Sequence, residues 1–447
     1  MELPESYRER MKRLLQDEAE LYFAALDREP VRALRFLPER GSEAFFESGF
    51  SLQPVLFLPN AYLFSGEGIG FSPFHRSGAV YVQEPGAMAP VAGVEILPDF
   101  KILDLCAAPG GKAFQAASFL GEDGVLIANE VVPERCRVLN QNAERLGVKN
   151  CAVTNLSPAH LAAFYGAAFD LVICDAPCSG EGMMRKNPNA VKEWSEENIR
   201  FCAARQAEIL ESAARLTAPG GFLLYATCTF APEENEDQIV RFLSLHPEFK
   251  LVPVKKEIQN ATENGLPRKG AETRLCRRCY PHKMPAEGQF FALMQKKDGE
   301  RRRFKEKETE KKDPGIALAR RFLEENLSLV PEGVFRREKD GIYLAPRFPL
   351  PEKGVFSPGV KLGSEEKNRF EPHHRLFMTY PSLFRNKISL FRDRDGEILE
   401  TYLRGGEIPA PFAGWGVVLW ENGPLGGVKA SGGIAKNHLP KGLRNRV

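Results

Sequence analysis

At 447 residues, 43% hydrophobic and 27% charged, the chain exceeds what one core usually serves, and roughly two to four globular domains are expected. No stretch approaches the roughly 20 uninterrupted apolar residues of a membrane span, and the charged opening MELPESYRERMKRLL lacks the apolar core of a secretory signal. The nine scattered cysteines, an odd number, speak for reduced thiols in a cytoplasmic protein and against a disulfide framework.

In chain order, residues 5–27 place Met11, Leu14, Leu15, Leu21, Ala24 and Ala25 at helical spacing, which predicts a helix. Residues 51–95, rich in glycine and proline, predict strands and turns. From about residue 100 strands and helices alternate. KILDLCAA is a strand, GKAFQAASFL a helix, GVLIANE a strand and PERCRVLNQNAERLG a helix. CAVTN and FDLVICDAP follow as strands, ARQAEILESAARL as a helix and GGFLLYATCT as a strand. Such alternation predicts an α/β fold with a doubly wound, largely parallel, Rossmann-like sheet. QKKDGERRRFKEKETEKKDPG (295–315) has dense mixed charge without apolar periodicity and reads as a linker. GIALARRFLEENLSLV then opens a smaller α+β domain. In GWGVVLWENGPLGGVKA two strands joined at ENGPLGG predict a compact β-rich module. The expected divisions are 1–95, 96–297, a linker over 298–315, 316–378 and 379–447.

The net charge of +2 hides two basic runs. Residues 267–283 hold six basic side chains and one acidic, and residues 426–447 hold five basic and no acidic. Charge runs usually mark solvated faces, yet two of them favour a polyanionic partner.

Four motifs gather chemistry at strand ends. In LDLCAAPGGK (103–112) a strand gives way to small residues, two glycines and a helix start. That pattern lets backbone approach a ligand and aims a helix N-terminus at it, without matching GxGxxG or a P-loop. Glu130 ends the next strand, where an acid meets ribose hydroxyls in such folds, and Arg135 follows one helical turn later. In DLVICDAPCSGEGMMRKNP (170–188) Asp175 ends a strand and Cys178 sits in the loop beyond. Arg185 and Lys186 come next, placed for a phosphate. In YATCTFAPEENE, Cys228 again ends a strand. If these strands are neighbours, one crevice holds a carboxyl group and two thiols, a set suited to covalent chemistry on a pyrimidine ring.

LDLCAAPGGK, DAPCSGEGMMRK and YATCTFAPEENE, in that order, closely resemble the Sun-type family of S-adenosylmethionine-dependent RNA (cytosine-5) methyltransferases. GVKLGSEEKNRFEPHH (359–374) and KNHLPKGLR look like its bacterial 16S ribosomal RNA methyltransferase F branch. The resemblance implies that Cys228 attacks C6 of a flipped cytosine, that Cys178 assists loss of the C5 proton and release, and that Asp175 contacts the cytosine edge. It further implies that Cys106, Ala107, Ala108, Pro109, Gly110, Gly111 and Lys112 hold S-adenosylmethionine, that Glu130 takes its ribose, and that Arg135 lies near it. Relatives carry an aspartate for the adenine amine where this chain reads VTNLSPAHL, so either Asn155 or backbone takes that contact. The implied partner is ribosomal RNA or the 30S subunit, gripped by the N-terminal region, the 267–283 run and a PUA-like C-terminal module. No stable protein partner is implied, and a monomer is expected.

Three rivals are weighed against this reading. In DNA cytosine methylation the nucleophile lies in the proline–cysteine loop, which would leave the TCT element unexplained. A silent RNA-binding assembly factor would not need both cysteines, Asp175 and the glycine loop, and the same chemistry on tRNA or another RNA is the nearest alternative. CRRCYPH offers Cys276, Cys279 and His282, but no second ligand pair is nearby, so no metal is expected.

Overall fold

The computed structural model describes residues 1–37, 40, 42–300, 313–367 and 369–445. Most of the expected linker therefore lies outside the described residues. At its ends the chain is regular: Gln295 and Lys296 belong to a strand, and Asp313 caps the helix Pro314–Asn326 by accepting from the Ile316 N–H at 3.0 Å.

Apolar runs build a ten-stranded central sheet. Its strands are β1 (Lys101–Asp104), β2 (Val125–Asn129), β3 (Cys151–Thr154), β4 (Phe169–Asp175) and β5 (Thr217–Thr227). They continue with β6 (Phe249–Leu251), β7 (Glu263–Asn264), β8 (Arg277–Cys279), β9 (Gln289–Lys296) and β10 (Val355–Ser357). The order is β7-β8-β9-β5-β4-β1-β2-β3-β10, with β6 also on β9. β1 to β5 are mutually parallel, and β9 runs antiparallel to β5. Residues of β2 and β3 are buried throughout, as parallel strands covered on both faces must be. β1 pairs with β2 on one side and β4 on the other, so the sheet reverses direction of growth there. Loops leaving the carboxyl ends of β1, β2, β4 and β5 surround this crevice.

Helices α1 (Gly111–Ala117), α2 (Pro133–Arg145) and α3 (Glu196–Leu216) belong to the same unit. Alternate strand residues feed two cores: Ile102, Leu126 and Leu171 one, Leu103, Ile127 and Val172 the other.

Residues 5–27 form two helices, Glu5–Leu15 and Ala19–Leu26, instead of the single predicted one. Gln16 takes a φ of 49°, which breaks the first helix and resets the phase. Leu21 is consequently 62% exposed, while Tyr22 and Phe23 are buried against Phe230 and Tyr280. Within 51–95, predicted as strands and turns, a helix spans Pro85–Ala92. The Glu84 carboxylate caps it, accepting from the Gly86 N–H at 2.8 Å and the Ala87 N–H at 2.5 Å.

The basic run 267–283 is a solvated face only in part. Arg277 and Arg278 are buried, and Arg278 makes a two-pronged ion pair with Glu236 at 2.5 and 2.7 Å. Lys283 pairs with Glu18 at 2.8 Å. Two of the run's six basic side chains thus serve the interior and a third is paired at the surface, which weakens its case for gripping a polyanion. Cys276 and Cys279 are buried in the cores on opposite faces of the sheet, so they share no ligand site. Among the described residues no helix is long and apolar enough to cross a membrane.

Beyond the helix Pro314–Asn326 come a four-stranded antiparallel sheet spanning 334–372 and a five-stranded sheet spanning 387–437. In the latter, Gly414–Trp420 and Gly423–Ser431 form the expected hairpin, with Glu421 and Asn422 both at positive φ in its turn. Arg40 clasps this half of the chain to the first, donating to the carbonyls of Ser77 and Met378 at 2.9 Å each.

Candidate active site

β4 and β5 run side by side with Asp175 opposite Ala226, which sets the loops beyond them next to each other. Cys178 and Cys228, 50 positions apart in sequence, thereby bring their Sγ atoms to 3.2 Å. The Cys228 N–H also donates to Cys178 Sγ at 3.3 Å. Both cysteines are partly exposed and reduced. The hydrogen bond to Cys228 and then burial raise the Cys178 pKa well above the ordinary thiol value.

Lys112 reaches the same place from the start of α1. Its Nζ donates to Asp175 Oδ2 at 2.9 Å. Burial works against the ammonium, but the Asp175 carboxylate beside it outweighs burial and raises the pKa. Lys112 is therefore a fixed cation holding Asp175 at the mouth of the crevice.

On the other side of β1 lies a cradle. Ala107 donates its N–H to the Asn129 carbonyl at 2.8 Å, and the Ala108–Pro109 peptide is cis. Gly110 has a φ of 115° and precedes α1, and a Cβ there would fall 2.1 Å from the Phe114 ring. Cys106 is partly buried behind the loop, its N–H donating to Asp104 Oδ1 at 3.2 Å, and Gly111 opens α1. Glu130 ends β2 almost fully buried, with Oε1 accepting from the Val132 N–H at 2.9 Å. Its Oε2 lies 3.2 Å from Arg135 Nη1, yet accepts no hydrogen bond. Arg135 also donates to the Ala108 carbonyl at 2.7 Å, so it ties the acid to the glycine loop. Asn155 donates its backbone N–H to Gly354 at 2.8 Å and its Nδ2 to the Glu130 carbonyl at 2.6 Å. What it retains is Oδ1, an acceptor.

The cradle fits S-adenosylmethionine. A buried carboxylate oxygen on Glu130 that accepts no hydrogen bond suits a ligand that brings hydroxyl donors, and the glycine loop leaves room for it.

Arg185 is not free for a phosphate. It is buried against Glu287, at 2.9 and 3.0 Å, and donates to the Ala25 and Ala286 carbonyls. Lys186 lies 3.8 Å from the same carboxylate. Both tie the loop after β4 to its neighbours.

Sequence reasoning passed over a group of buried polar residues behind the thiols: Asp104, Ser179, Glu181, Gln206, Thr229 and Glu234. A visible signal existed for some of them. Gln206 interrupts the apolar stripe of α3, and Asp104 ends an apolar strand. The acids of APEENE were given no role from the sequence, yet Glu234 and Glu236 are fully buried.

The chain matches the family model described as 16S rRNA methyltransferase RsmB/F over residues 94–295. It also matches the N-terminal domain of 16S rRNA methyltransferase RsmF over 3–85 and the methyltransferase RsmF PUA domain over 392–445. It is similar to ribosomal RNA small subunit methyltransferase F of Vibrio vulnificus (strain YJ016), 28% identical over 470 residues that span 99% of this chain and 97% of that one. The Vibrio cholerae (strain M66-2) protein of the same name is 36% identical over 247 residues, 52% of each chain. Among solved structures, a methyltransferase homolog from Pyrococcus horikoshii is 28% identical with a TM-score of 0.57, covering 64% of this chain and 93% of that one. Fold, crevice and matches together define an RNA methyltransferase that uses S-adenosylmethionine. More narrowly, the chain belongs to the 16S rRNA methyltransferase RsmB/F family, within its methyltransferase F branch.

Proposed function

We propose that this protein methylates C5 of cytidine in 16S ribosomal RNA in the cytoplasm, through a covalent adduct on Cys228. The reading rests chiefly on two thiols 3.2 Å apart at neighbouring strand ends, with Lys112 and Asp175 beside them. S-adenosylmethionine supplies an electrophilic methyl group. Glu130 takes its ribose, the 106–112 loop and Arg135 enclose it, and the Asn155 Oδ1 has the acceptor polarity that an adenine amine requires.

C5 of cytosine is a weak nucleophile. Cys228, its thiol proton released to solvent, bonds through Sγ to C6 and pushes the C5=C6 electron pair onto C5, while Asp175, held by Lys112, hydrogen-bonds the N3 edge. That pair would form the bond from C5 to the methyl group as the methyl–sulfonium bond breaks, with S-adenosylhomocysteine as the leaving group. Cys178 keeps its proton while Cys228 is an unbonded sulfur beside it. Once Cys228 is tied to carbon, its hydrogen bond no longer raises the Cys178 pKa, and Cys178 can release its proton to solvent. Its thiolate then takes the proton from C5, the C5=C6 bond re-forms, and the C6–S bond breaks to free Cys228. Flipping the base costs about a few kcal/mol, which RNA contacts from the N-terminal region and the PUA module offset.

The test is incubation with labelled S-adenosylmethionine and naked 16S RNA, 30S subunits or DNA. Label is expected in 16S RNA as 5-methylcytidine; label in DNA alone, or none, overturns the reading. Cys228→Ala is expected to lower transfer by about a thousandfold or more. Cys178→Ala is expected to trap a protein–RNA adduct on a denaturing gel, and migration like wild type would refute its role in release.

A further inference from the structure

Behind the two thiols lies a buried chain of oxygens that crosses from one cysteine loop to the other. Ser179, the residue after Cys178, gives its N–H at 3.0 Å and its hydroxyl to the Glu234 carboxyl group, which comes from the Cys228 side. Gln206 Nε2 donates to the same carboxyl at 2.7 Å. Thr229, the residue after Cys228, gives its hydroxyl at 3.1 Å to Glu181, which comes from the Cys178 side. The Phe230 N–H at 3.0 Å and Trp194 Nε1 at 2.8 Å complete Glu181. Between the two halves, Ser179 Oγ and Thr229 Oγ1 lie 2.8 Å apart. Each cysteine is thus followed by a hydroxyl that holds the opposite loop's acid, and the hydroxyls hold each other.

We propose that Glu234 and Glu181 are positioning residues for the cysteine pair, and that together with Ser179 and Thr229 they form a reciprocal clamp which shares one extra proton. This inference rests on the two-thiol reading above. The proton follows from counting. Glu234–Ser179, Ser179–Thr229 and Thr229–Glu181 are three oxygen–oxygen contacts, and the two hydroxyls supply only two hydrogens. One carboxyl group must supply the third. Burial favours this arrangement, raising the Glu234 pKa to about 7 and that of Glu181 above its ordinary value. Gln206 adds a second tie, its Nε2 donating both to the Pro177 carbonyl at 3.0 Å and to Glu234, but Ser179 and Thr229 are the residues that directly follow the two cysteines, and the sulfur separation is only as fixed as they are.

The clamp predicts different fates for two substitutions at one position. In Glu234→Gln the amide Nε2 takes the place of the protonated oxygen and donates to Ser179 Oγ, while its oxygen accepts from the Ser179 N–H and Gln206. In Glu234→Ala all three donors lose their acceptor. The experiment uses the full chain with 16S RNA, and measures single-turnover methyl transfer, adduct on a denaturing gel and thermal unfolding. Glu234→Gln is expected within about threefold of wild type. Glu234→Ala is expected to be about ten- to a hundredfold slower, since a misplacement near 1 Å costs up to about a hundredfold. It should also accumulate adduct, as Cys178→Ala does; mere destabilisation would lower transfer and adduct together. Should Glu234→Ala fail to fold, Ser179→Ala, which deletes one oxygen, replaces it with an expected loss of about tenfold. A folded Glu234→Ala or Ser179→Ala at wild-type speed overturns the clamp, and a Glu234→Gln as slow as Glu234→Ala overturns the shared proton. Absence of adduct from Cys178→Ala and wild type alike would instead defeat the two-thiol reading itself.

Discussion

Asp104 shows how one side chain can serve a site at a cost to the fold. It is 1% exposed, and one of its oxygens has no hydrogen-bond partner. Burial, and then the nearby Asp175 charge, raise its pKa to about 8. The unfolded chain releases this proton near pH 4, so between about pH 4 and 8 the folded state binds more protons than the unfolded one. Stability contributed here is full below pH 4 and is lost as pH rises toward 8, by at most about 1.4 kcal/mol per unit. Asp104→Asn keeps the acceptor for the Cys106 N–H and removes the titration. Its melting temperature is expected to gain on wild type steadily from pH 5 to pH 8; a constant difference across that range would contradict the assignment. The meeting of the two cysteines, Asp175 and Glu130 around one crevice was legible in the sequence because each stands at or just beyond a strand end, and Lys112 because it opens the helix that follows β1. Glu234 and Ser179 were not, because only their meeting across 55 positions gives them meaning.

Elements that bury one continuous apolar run, such as β2 or β4, were read directly from that run. Elements decided by a single backbone torsion or cap were not, and both the Gln16 break and the Glu84-capped helix belong to this kind. The buried arginines of 267–283 mark a further limit, since charge density does not say which charges find partners inside. The segment after β4 owes its path to glycine. At Gly182 an added Cβ would fall 2.5 to 2.6 Å from the backbone of Gly288, just before β9. The Gly182 N–H also donates to the Cys228 carbonyl at 2.9 Å, so the same residue links the two cysteine loops. Gly182→Ala is expected to destabilise the fold by about 1–3 kcal/mol through overpacking, measured by denaturant unfolding. A change below about 0.5 kcal/mol would mean that the loop has slack the structure does not show.

Across the whole molecule, the two halves interlock through backbone as well as side chains. β10, from the far half, pairs with β3 and covers the edge of the catalytic sheet, and Gly354 beside it accepts the Asn155 N–H. Arg76 adds contacts to Leu443 and Asn445 at 2.6 Å each. Nothing in the sequence of residues 350–357 pointed to this, because a three-residue strand borrows its identity from its partner. Truncation after residue 300 leaves the outer edge of β3 unpaired, and the product is expected to self-associate more than the full chain, as size-exclusion chromatography would show. A monodisperse, folded fragment would refute this. The covered edge also sets a schedule for synthesis. β9 is complete at Lys296, but its sheet waits for Val355–Ser357 to emerge, about 60 residues later. At about 5–20 residues per second that delay is roughly 3–12 s, during which the nascent sheet carries an open edge beside the ribosome.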